Sequence, residues 1–254
     1  MDDQRTQNEI AHGKHLKEIG AACAWNWESP AGRVRFQRRV QMLTSHITPA
    51  MSVLEIGCGI GLFTVEIAKT NAQVTAIDIS PDLLEIARAK INQANVHFQI
   101  ENAYRLSFPA QSFDTIIGSS VLHHLEVETA LTEFYRVLKP GGTVYFTEPN
   151  LLNPHIFLER KIPFLRKILH VSPDETAFIL WRLRRQMVQA GFTDIQIMPF
   201  DFLYPLTPTT LIPAITKLGE FLERIPPISQ IAGSLYIRTV KPRKLTQDVG
   251  ERRG

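Results

Sequence analysis

From residue 50 onward, the chain alternates short apolar runs with longer stretches in which apolar residues recur every three or four positions. The first pattern is typical of buried strands, and the second of helices that pack one face against a core. Short runs of this kind predict strands over residues 53–56, 74–78, 96–100, 113–118 and 143–147. The alternation predicts an α/β fold, with a parallel sheet and helices on both faces.

Two helix boundaries in this region carry clear local signals. Ser80 is a predicted N-cap and Pro81 the first helical residue of one helix. A second helix, over residues 128–138, is predicted to stop at Lys139-Pro140-Gly141-Gly142, because glycine and proline interrupt helices.

The last hundred residues follow the pattern less regularly. Ser172 and Glu175 have the spacing of a capping box, which predicts a helix from there to about residue 190. Further strands are predicted over residues 192–200 and 235–240. The polar segment 241–254 is predicted to be a disordered tail.

The insertion between these last two strands, residues 201–234, contains an apolar stripe at helical spacing that includes Leu218 and Phe221. This stripe fits either a helix packed on the domain, a roof over a hydrophobic acceptor pocket, or a contact with a membrane surface. We rank the pocket roof above peripheral membrane contact, because the acidic and basic residues of the helix balance.

The N-terminal segment, residues 1–48, looks helical and carries two tryptophans, Trp25 and Trp27. Four arginines crowd the stretch that follows: Arg33, Arg35, Arg38 and Arg39. The favoured interpretation of this stretch is a solvated basic helix face beside packed tryptophans. The alternative is a lid over a ligand site.

These patterns divide one predicted domain, residues 1–240, into three parts. They are an N-terminal helical lid (1–48), a cofactor-binding core (50–150) and a substrate-shaping C-terminal part (151–240). A chain of 254 residues is long enough to bury the core of such a domain.

Composition narrows the functional classes. With 44% hydrophobic residues and a net charge of +3, the chain resembles an ordinary globular protein rather than one built for nucleic acid. Two distant cysteines offer neither a disulfide framework nor a cysteine-rich zinc site. No apolar run approaches the roughly 18 residues of a membrane-spanning helix, and the polar N-terminus is unlike a signal peptide. We therefore expect a cytoplasmic protein.

A glycine loop follows the first predicted strand, with Gly57, Gly59 and Gly61 spaced two apart. Glycines at a strand end let a ligand approach the backbone closely. The dinucleotide fingerprint needs a further glycine where Leu62 stands, and no Lys-Ser/Thr follows to make a P-loop. The carboxylate of Glu55 in the same loop suits a ligand that carries a positive charge.

Asp78 ends the next predicted strand. An acid at this place can accept hydrogen bonds from both hydroxyls of a ribose. Alone it also fits a helix-capping or turn residue, but beside the glycine loop we favour a nucleoside-binding role.

Six ordered motifs between residues 50 and 150 resemble those of the class I S-adenosylmethionine-dependent methyltransferases, in particular the ubiquinone/menaquinone-biosynthesis-like, type 11 branch. They are VLEIGCGIG (53–61), AIDIS (76–80), NA (102–103), SFD (112–114), SSVLHHL (119–125) and RVLKPGG (136–142). The resemblance implies S-adenosyl-L-methionine as the cofactor and a Rossmann-like sheet of seven strands with the last strand antiparallel.

The resemblance also assigns roles to residues. It places the three glycines at the methionine part of the cofactor, Asp78 at the ribose, Ile79 beside the adenine and Ser119 at the methionine end. Cys58, Asn102 and Ala103 complete the predicted cofactor site. Relatives usually carry Asp at the position of Asn102, where the acid accepts a hydrogen bond from the adenine amino group. The amide carbonyl can still accept, without the help of a charge.

His123 and His124 follow the fourth predicted strand, where the acceptor is expected to enter. A histidine there is a candidate general base, with His124 slightly preferred, although a structural role for the pair is the stronger interpretation. We expect no metal, because adjacent side chains point in divergent directions and a third ligand is missing.

The sequence thus predicts an enzyme that transfers a methyl group to O, C or N of a small molecule, with a hydrophobic or lipid-like acceptor in view. A catalytically silent cofactor-binding module and an RNA methyltransferase are the alternatives. Nucleic acid is disfavoured, because the basic residues are scattered and Ser119-Ser120-Val121-Leu122 replaces the Asn-Pro-Pro-Tyr type of motif.

Overall fold

In the computed structural model, residues 2–162, 164 and 175–243 are described. Seven strands form one sheet: β1 (Ser52–Ile56), β2 (Gln73–Asp78), β3 (Val96–Ile100), β4 (Phe113–Ser119), β5 (Leu138–Pro149), β6 (Thr193–Phe200) and β7 (Ser234–Val240). The helices are α1 (Asp2–Ile19), α2 (Ala21–Ala24), α3 (Pro30–Thr44), α4 (Leu62–Ala68), α5 (Pro81–Lys90), α6 (Val127–Val137), α7 (Pro154–Lys161), α8 (Leu180–Gln189), α9 (Ile212–Leu222) and α10 (Pro226–Ser229). Short 3₁₀ turns cover Leu122–His124 and Thr209–Leu211.

The strand order is β3-β2-β1-β4-β5-β7-β6. The first five strands in this order pair in parallel, and β7 runs antiparallel to both of its neighbours. The predicted fold class is therefore confirmed, including the antiparallel last strand. Between β1 and β4 the strand order reverses direction, and in open α/β sheets ligands bind beyond the carboxyl ends of such strands.

The central strands of the sheet are buried on both faces. Consecutive residues of a strand point to opposite sides, so Ile116 and Phe146 join one apolar cluster while Ile117 and Tyr145 join the other. This two-sided burial explains why the central strands read as continuous apolar runs. No helix in the described ranges is long and apolar enough to cross a membrane.

The end of α6 differs from the prediction. The helix stops at Val137 as expected, but the chain then enters β5 directly at Leu138. The predicted stop signal therefore lies within the strand, where Gly141 has a φ of +82° and its N–H bonds to the carbonyl of Lys241. The helix therefore ends where it was predicted to end, but the chain continues directly into a strand rather than into a loop.

The helix predicted to start at the capping box of Ser172 and Glu175 is wrong in its start. The next helix, α8, begins only at Leu180, and Glu175 lies in an irregular segment before it. Ser172 falls outside the described residues. The side chain of Glu175 is engaged by a histidine and an arginine from other elements, which outweighs its local value as a capping residue.

The start of the predicted disordered tail is also wrong. Lys241 is buried, and its Nζ donates to the carbonyls of Tyr135 and Leu138 at 2.6 and 2.8 Å. The chain is therefore anchored to α6 just after β7. Residues 244–254 lie outside the described part.

The N-terminal helix α1 packs on α5, next to the cap of that helix. Gly13 permits the contact, since a Cβ atom there would lie 2.3 Å from Ser80 Oγ. Lys17 adds ion pairs to Asp82 and Glu85. These contacts hold α1 beside the carboxyl end of β2.

Candidate functional site

A cavity of about 540 Å³ opens beyond the carboxyl ends of β1, β2 and β4. Eight of the ten residues predicted to bind the cofactor line it: Gly57, Cys58, Gly59, Asp78, Ile79, Asn102, Ala103 and Ser119. Glu55 and Gly61 are not among the lining residues. The topology thus brings most of the predicted set to one place, although the set is spread over more than sixty residues of sequence.

The glycine loop has two separate tasks. Gly59, with a φ of +53°, lies under the ring of Trp25, whose Cη2 would be 2.9 Å from an added Cβ. Gly61, with a φ of +83°, packs instead against Ile91 at the end of α5, whose Cδ1 would lie 2.4 Å from a Cβ atom added to the glycine. The absence of a side chain at Gly59 therefore allows Trp25 to approach the loop backbone at the cavity. The absence of one at Gly61 allows α4 and α5 to pack together.

Asp78 is held in place by main-chain donors. Its Oδ2 accepts from the N–H of Gly59, and its Oδ1 from the N–H of Ser80, both at 2.8 Å. Burial raises the pKa of Asp78, and these two hydrogen bonds oppose that rise. Each carboxylate oxygen has a further lone pair for a ligand hydroxyl. The arrangement fixes the acid and ties the glycine loop to β2.

Glu55 does not act as predicted. It is only 3% exposed, and Thr64 Oγ1 donates to its Oε2 at 2.7 Å. Burial raises the pKa of Glu55 to about 8, so the carboxyl group is largely protonated at neutral pH. The expectation that its charge attracts a cationic ligand is wrong, because the group faces α4 and carries little charge.

Asn102 has partners on both sides. Its Oδ1 accepts from the N–H of Tyr104 at 2.9 Å, and its Nδ2 donates to Thr6 Oγ1 of α1 at 3.4 Å. An aspartate could accept the first bond but could not donate the second. The amide at this position therefore joins the cavity wall to the N-terminal helix. Across the cavity, the hydroxyl of Ser119 bonds to that of Thr147 at 2.9 Å.

His123 is buried between two carboxylates. Its Nδ1 lies 2.7 Å from Glu148 Oε2, and its Nε2 lies 3.2 Å from Glu175 Oε1. Burial favours the neutral ring, but the hydrogen bonds to Glu148 and Glu175 outweigh it and raise the pKa of His123 to about 9. Because both ring nitrogens are engaged by carboxylates, the geometry disfavours His123 as a general base, and the catalytic role of the histidine pair stays a prediction.

Glu148 is a functional residue that the sequence analysis missed. Its Oε1 accepts from the backbone N–H groups of Val121 and Leu122 at 3.0 and 2.8 Å, in addition to the contact with His123. It therefore fixes the turn that follows β4. The available signal was its place at the end of β5, the strand next to the one that ends at Ser119.

Glu175 extends this network to α7. Arg160 Nη2 donates to Glu175 Oε1 at 2.6 Å, and the carbonyl of His123 accepts from the N–H and the hydroxyl of Thr176 at 3.0 Å each. His123 and Arg160 hold the pKa of Glu175 well below its usual range despite burial, which opposes this. These contacts fasten the segment before α8 to the site.

His124 lines the cavity on the side of α1. Its Nδ1 lies 3.0 Å from Glu9 Oε2, and its ring centroid lies 6.2 Å from that of His12. Burial, and then the nearby His124, lower the pKa of His12. His124 thus lies at the cavity, and its role as a base stays a prediction.

The geometric argument against a metal is wrong in one respect. The ligand atoms of His123, His124 and Glu175 lie within 4.8 Å of one another, so the adjacent histidines do converge. A metal ion there would have to replace the proton that His123 carries between its two carboxylates. The donor set in this state therefore fits a proton better than a metal.

The interpretation of the arginine stretch as a solvated face is wrong for two of its members. Arg35 and Arg39 line the cavity together with Trp25 and Trp27, and Arg39 is only 3% exposed. The two guanidinium groups lie 5.8 and 5.3 Å from the ring of Trp27. Phe63 contacts the edge of the same ring and also lines the cavity. The N-terminal segment thus supplies an aromatic and basic wall.

The predicted pocket roof is wrong. No residue of α9 lines the cavity within the described part of the chain, and Leu218 and Phe221 are 54% and 59% exposed. The helix packs through Ile212, which joins Ala31 and Leu203 in a small apolar cluster. The stripe is wider than the face that the domain covers, and spacing alone could not show which part is buried.

Comparisons with known proteins agree with the geometry. Residues 54–146 match the family described as a methyltransferase domain. A demethylmenaquinone methyltransferase of Tropheryma whipplei (strain Twist) is 34% identical over 180 residues, which cover 65% of this chain and 75% of that protein. A ubiquinone biosynthesis O-methyltransferase of Coxiella burnetii (strain Dugway 5J108-111) is 31% identical over 136 residues, or 50% of this chain and 58% of that one.

A solved structure has the same fold over almost its whole length. The crystal structure of a SAM-dependent methyltransferase from Thermotoga maritima, described as a possible histamine N-methyltransferase, superposes with a TM-score of 0.66. The match covers 89% of this chain and 98% of that chain at 21% identity. At this identity the likeness concerns the fold.

Proposed function

Because the chain belongs to the S-adenosylmethionine-dependent methyltransferases, we propose that it methylates a small molecule whose body is largely apolar and lies against Trp25, Trp27 and Phe63. One observation carries this proposal. A single cavity contains both the predicted cofactor residues and this aromatic wall. The relatives named above take their names from quinone biosynthesis, which fits an acceptor of that character.

The residues present fit the cofactor, S-adenosyl-L-methionine. Asp78 offers fixed lone pairs for the ribose hydroxyls, the carbonyl of Asn102 has a second lone pair for the adenine amino group, and Gly57 and Gly59 bring the backbone to the cavity. When bound, the cofactor supplies a methyl group on a sulfonium, whose departure leaves a neutral thioether. The binding determinants are therefore polar contacts rather than a charge on Glu55.

The main task of the chain in such a transfer is alignment. In the proposed site, Glu148 and the charged His123 hold the turn after β4 rigid, and so hold Ser119 and His124 at the cavity. We assign any proton removal to His124 and none to His123, because both ring nitrogens of His123 are engaged by carboxylates. An amine acceptor needs no base, whereas a hydroxyl or carbon acid does.

The test is a transfer assay with a methyl-labelled cofactor. The protein is incubated with demethylmenaquinone of shortened side chain, with an organic-solvent extract of bacterial cells, with an aqueous extract, and with total RNA. We expect label in an organic-soluble product, and about tenfold less of it with Asp78→Ala when the cofactor is kept below its dissociation constant. Label confined to RNA or to the aqueous extract would contradict the proposal. Tight binding of S-adenosylhomocysteine without any transfer would favour a silent binding module.

A further inference from the structure

Arg35 and Arg39 occupy one face of α3, four residues apart, and both line the cavity. They share a single acid. Asp201 Oδ2 lies 2.8 Å from Arg35 Nε and 2.8 Å from Arg39 Nη1. The other oxygen of Asp201 accepts from the N–H of Leu203. Burial opposes ionisation of Asp201, but Arg39 and Arg35 together lower its pKa, so this group of three carries one excess positive charge.

The two arginines differ in what they have left to offer. Arg39 engages both of its Nη atoms, because besides the contact with Asp201 its guanidinium donates to the carbonyl of Arg35 at 3.1 Å and to Ser234 Oγ at 2.6 Å. Arg35 uses only Nε. Neither of its Nη atoms has a hydrogen-bonding partner among the residues that the structure describes, and its side chain is 17% exposed. Asp201 therefore holds Arg35, a lining residue of the cavity, through Nε and leaves both Nη atoms available.

The acids on the same side of the cavity do not neutralise this charge. Glu175 is paired with Arg160 and His123, and Glu159 is paired with His155 at 3.1 Å. Beside Arg35 stands the ring of Trp27, with Phe36 and Phe63 packed at its edges. A guanidinium fork next to an aromatic wall suits a ligand with an apolar body and one anionic group.

We propose that Arg35 binds a carboxylate of the methyl acceptor, so that the enzyme acts on apolar carboxylic acids, bound with the acid group at Arg35 and the body along Trp27. A single carboxylate matches the single excess charge and can accept from both Nη atoms, whereas the charge of a phosphate dianion exceeds it. The inference rests on the proposed function only in treating the ligand of this wall as the acceptor.

The experiment compares two probes of nearly equal shape. Binding of 2-naphthoate and of neutral 2-naphthamide is measured by calorimetry, with saturating S-adenosylhomocysteine, for wild type, Arg35→Gln and Arg33→Gln. Arg33 is the matched control, because it lies on the same helix, donates to the carbonyl of Glu28 and does not line the cavity. We expect wild type and Arg33→Gln to bind naphthoate at least about tenfold more tightly than naphthamide, as for a charge-assisted hydrogen bond.

In Arg35→Gln the preference should disappear, while Arg35→Lys, which restores the charge without the fork, should recover part of it. Equal affinity of the wild type for both probes, binding of neither probe, or the same preference in Arg35→Gln overturns the proposal. Failure of the wild type to bind S-adenosylhomocysteine counts against the proposed function instead. In that case the preference for naphthoate over naphthamide is measured in the absence of S-adenosylhomocysteine.

Discussion

The two ends of the cavity are held in shape by different forces. At the glycine loop, one carboxylate, Asp78, is fixed by backbone amides of its own neighbourhood. At the opposite end, buried charged side chains from distant segments hold one another: Glu148 lies 25 residues from His123, and Asp201 lies 166 residues from Arg35. The difference teaches where the molecule is vulnerable. Hydrogen bonds from backbone amides remain in place when a neighbouring side chain is replaced. A buried charge that loses its charged partner, by contrast, strongly destabilises the fold.

The largest effect is expected when the charged end is broken at Glu148. Glu148→Ala removes the nearer of the two carboxylate partners of the buried His123 ring and the acceptor of two backbone N–H groups. We expect the free energy of unfolding, measured by urea denaturation at pH 6, to fall by about 3–5 kcal/mol. The exposed Glu220→Ala on α9 is the control, with a change within about 0.5 kcal/mol. A loss below about 1 kcal/mol for Glu148→Ala would contradict the assigned role.

A second prediction uses pH to weaken the same end without a mutation. The pKa of His123 is about 9 in the folded protein and about 6.5 in an unfolded chain. A raised folded pKa stabilises fully below about pH 6.5, and that contribution is lost as the pH rises through about 9. The wild type should therefore lose about 3 kcal/mol of stability from this group between about pH 6 and pH 10.

His123→Gln serves as the reference for this pH series, because it keeps hydrogen-bonding capacity but cannot titrate. The difference between the two unfolding free energies should shrink as the pH rises. Parallel stability curves for wild type and His123→Gln would mean that the ring is neutral in the folded protein.

The third prediction contrasts two acids at neighbouring strand ends, one facing the cavity and one facing away. Asp78→Ala should weaken binding of S-adenosylhomocysteine about tenfold or more, since a charged acceptor contributes about 1.5–3 kcal/mol. Glu55→Gln should change this affinity by less than about twofold, because the buried carboxyl group is largely protonated and bonds to Thr64. Calorimetry at pH 7 decides, and a loss of affinity in Glu55→Gln equal to that in Asp78→Ala would show that Glu55 acts on the ligand.

The same contrast explains how much could be predicted from the sequence. The glycine loop and Asp78 belong to consecutive elements of a regular βαβ pattern, so local spacing placed them at one sheet edge. Glu175 looked like a helix cap, because its partners His123 and Arg160 come from other segments and leave no trace near it in the sequence. Arg35 and Arg39 looked solvated for the same reason, since Asp201 lies at the end of β6.

The ionisation of single residues was the other missing part. Glu55 was expected to be charged and His123 to be a base, and burial together with neighbouring groups reverses the first expectation and disfavours the second. Position along a strand predicts which end of the sheet a residue occupies. Position along a strand does not predict which face of the sheet the side chain points to, or which groups surround its carboxyl or imidazole group.

The placement of α1 has a kinetic consequence. Thr6 touches Asn102 at one part of the cavity, Glu9 lies against His124 at another, and Gly13 sits on Ser80 between helices. A single helix, α1, therefore lies over both the proposed cofactor part and the proposed acceptor part of the cavity. If α1 moves away to admit or release either ligand, it uncovers the other at the same time, so we expect the residence times of cofactor and acceptor to be coupled.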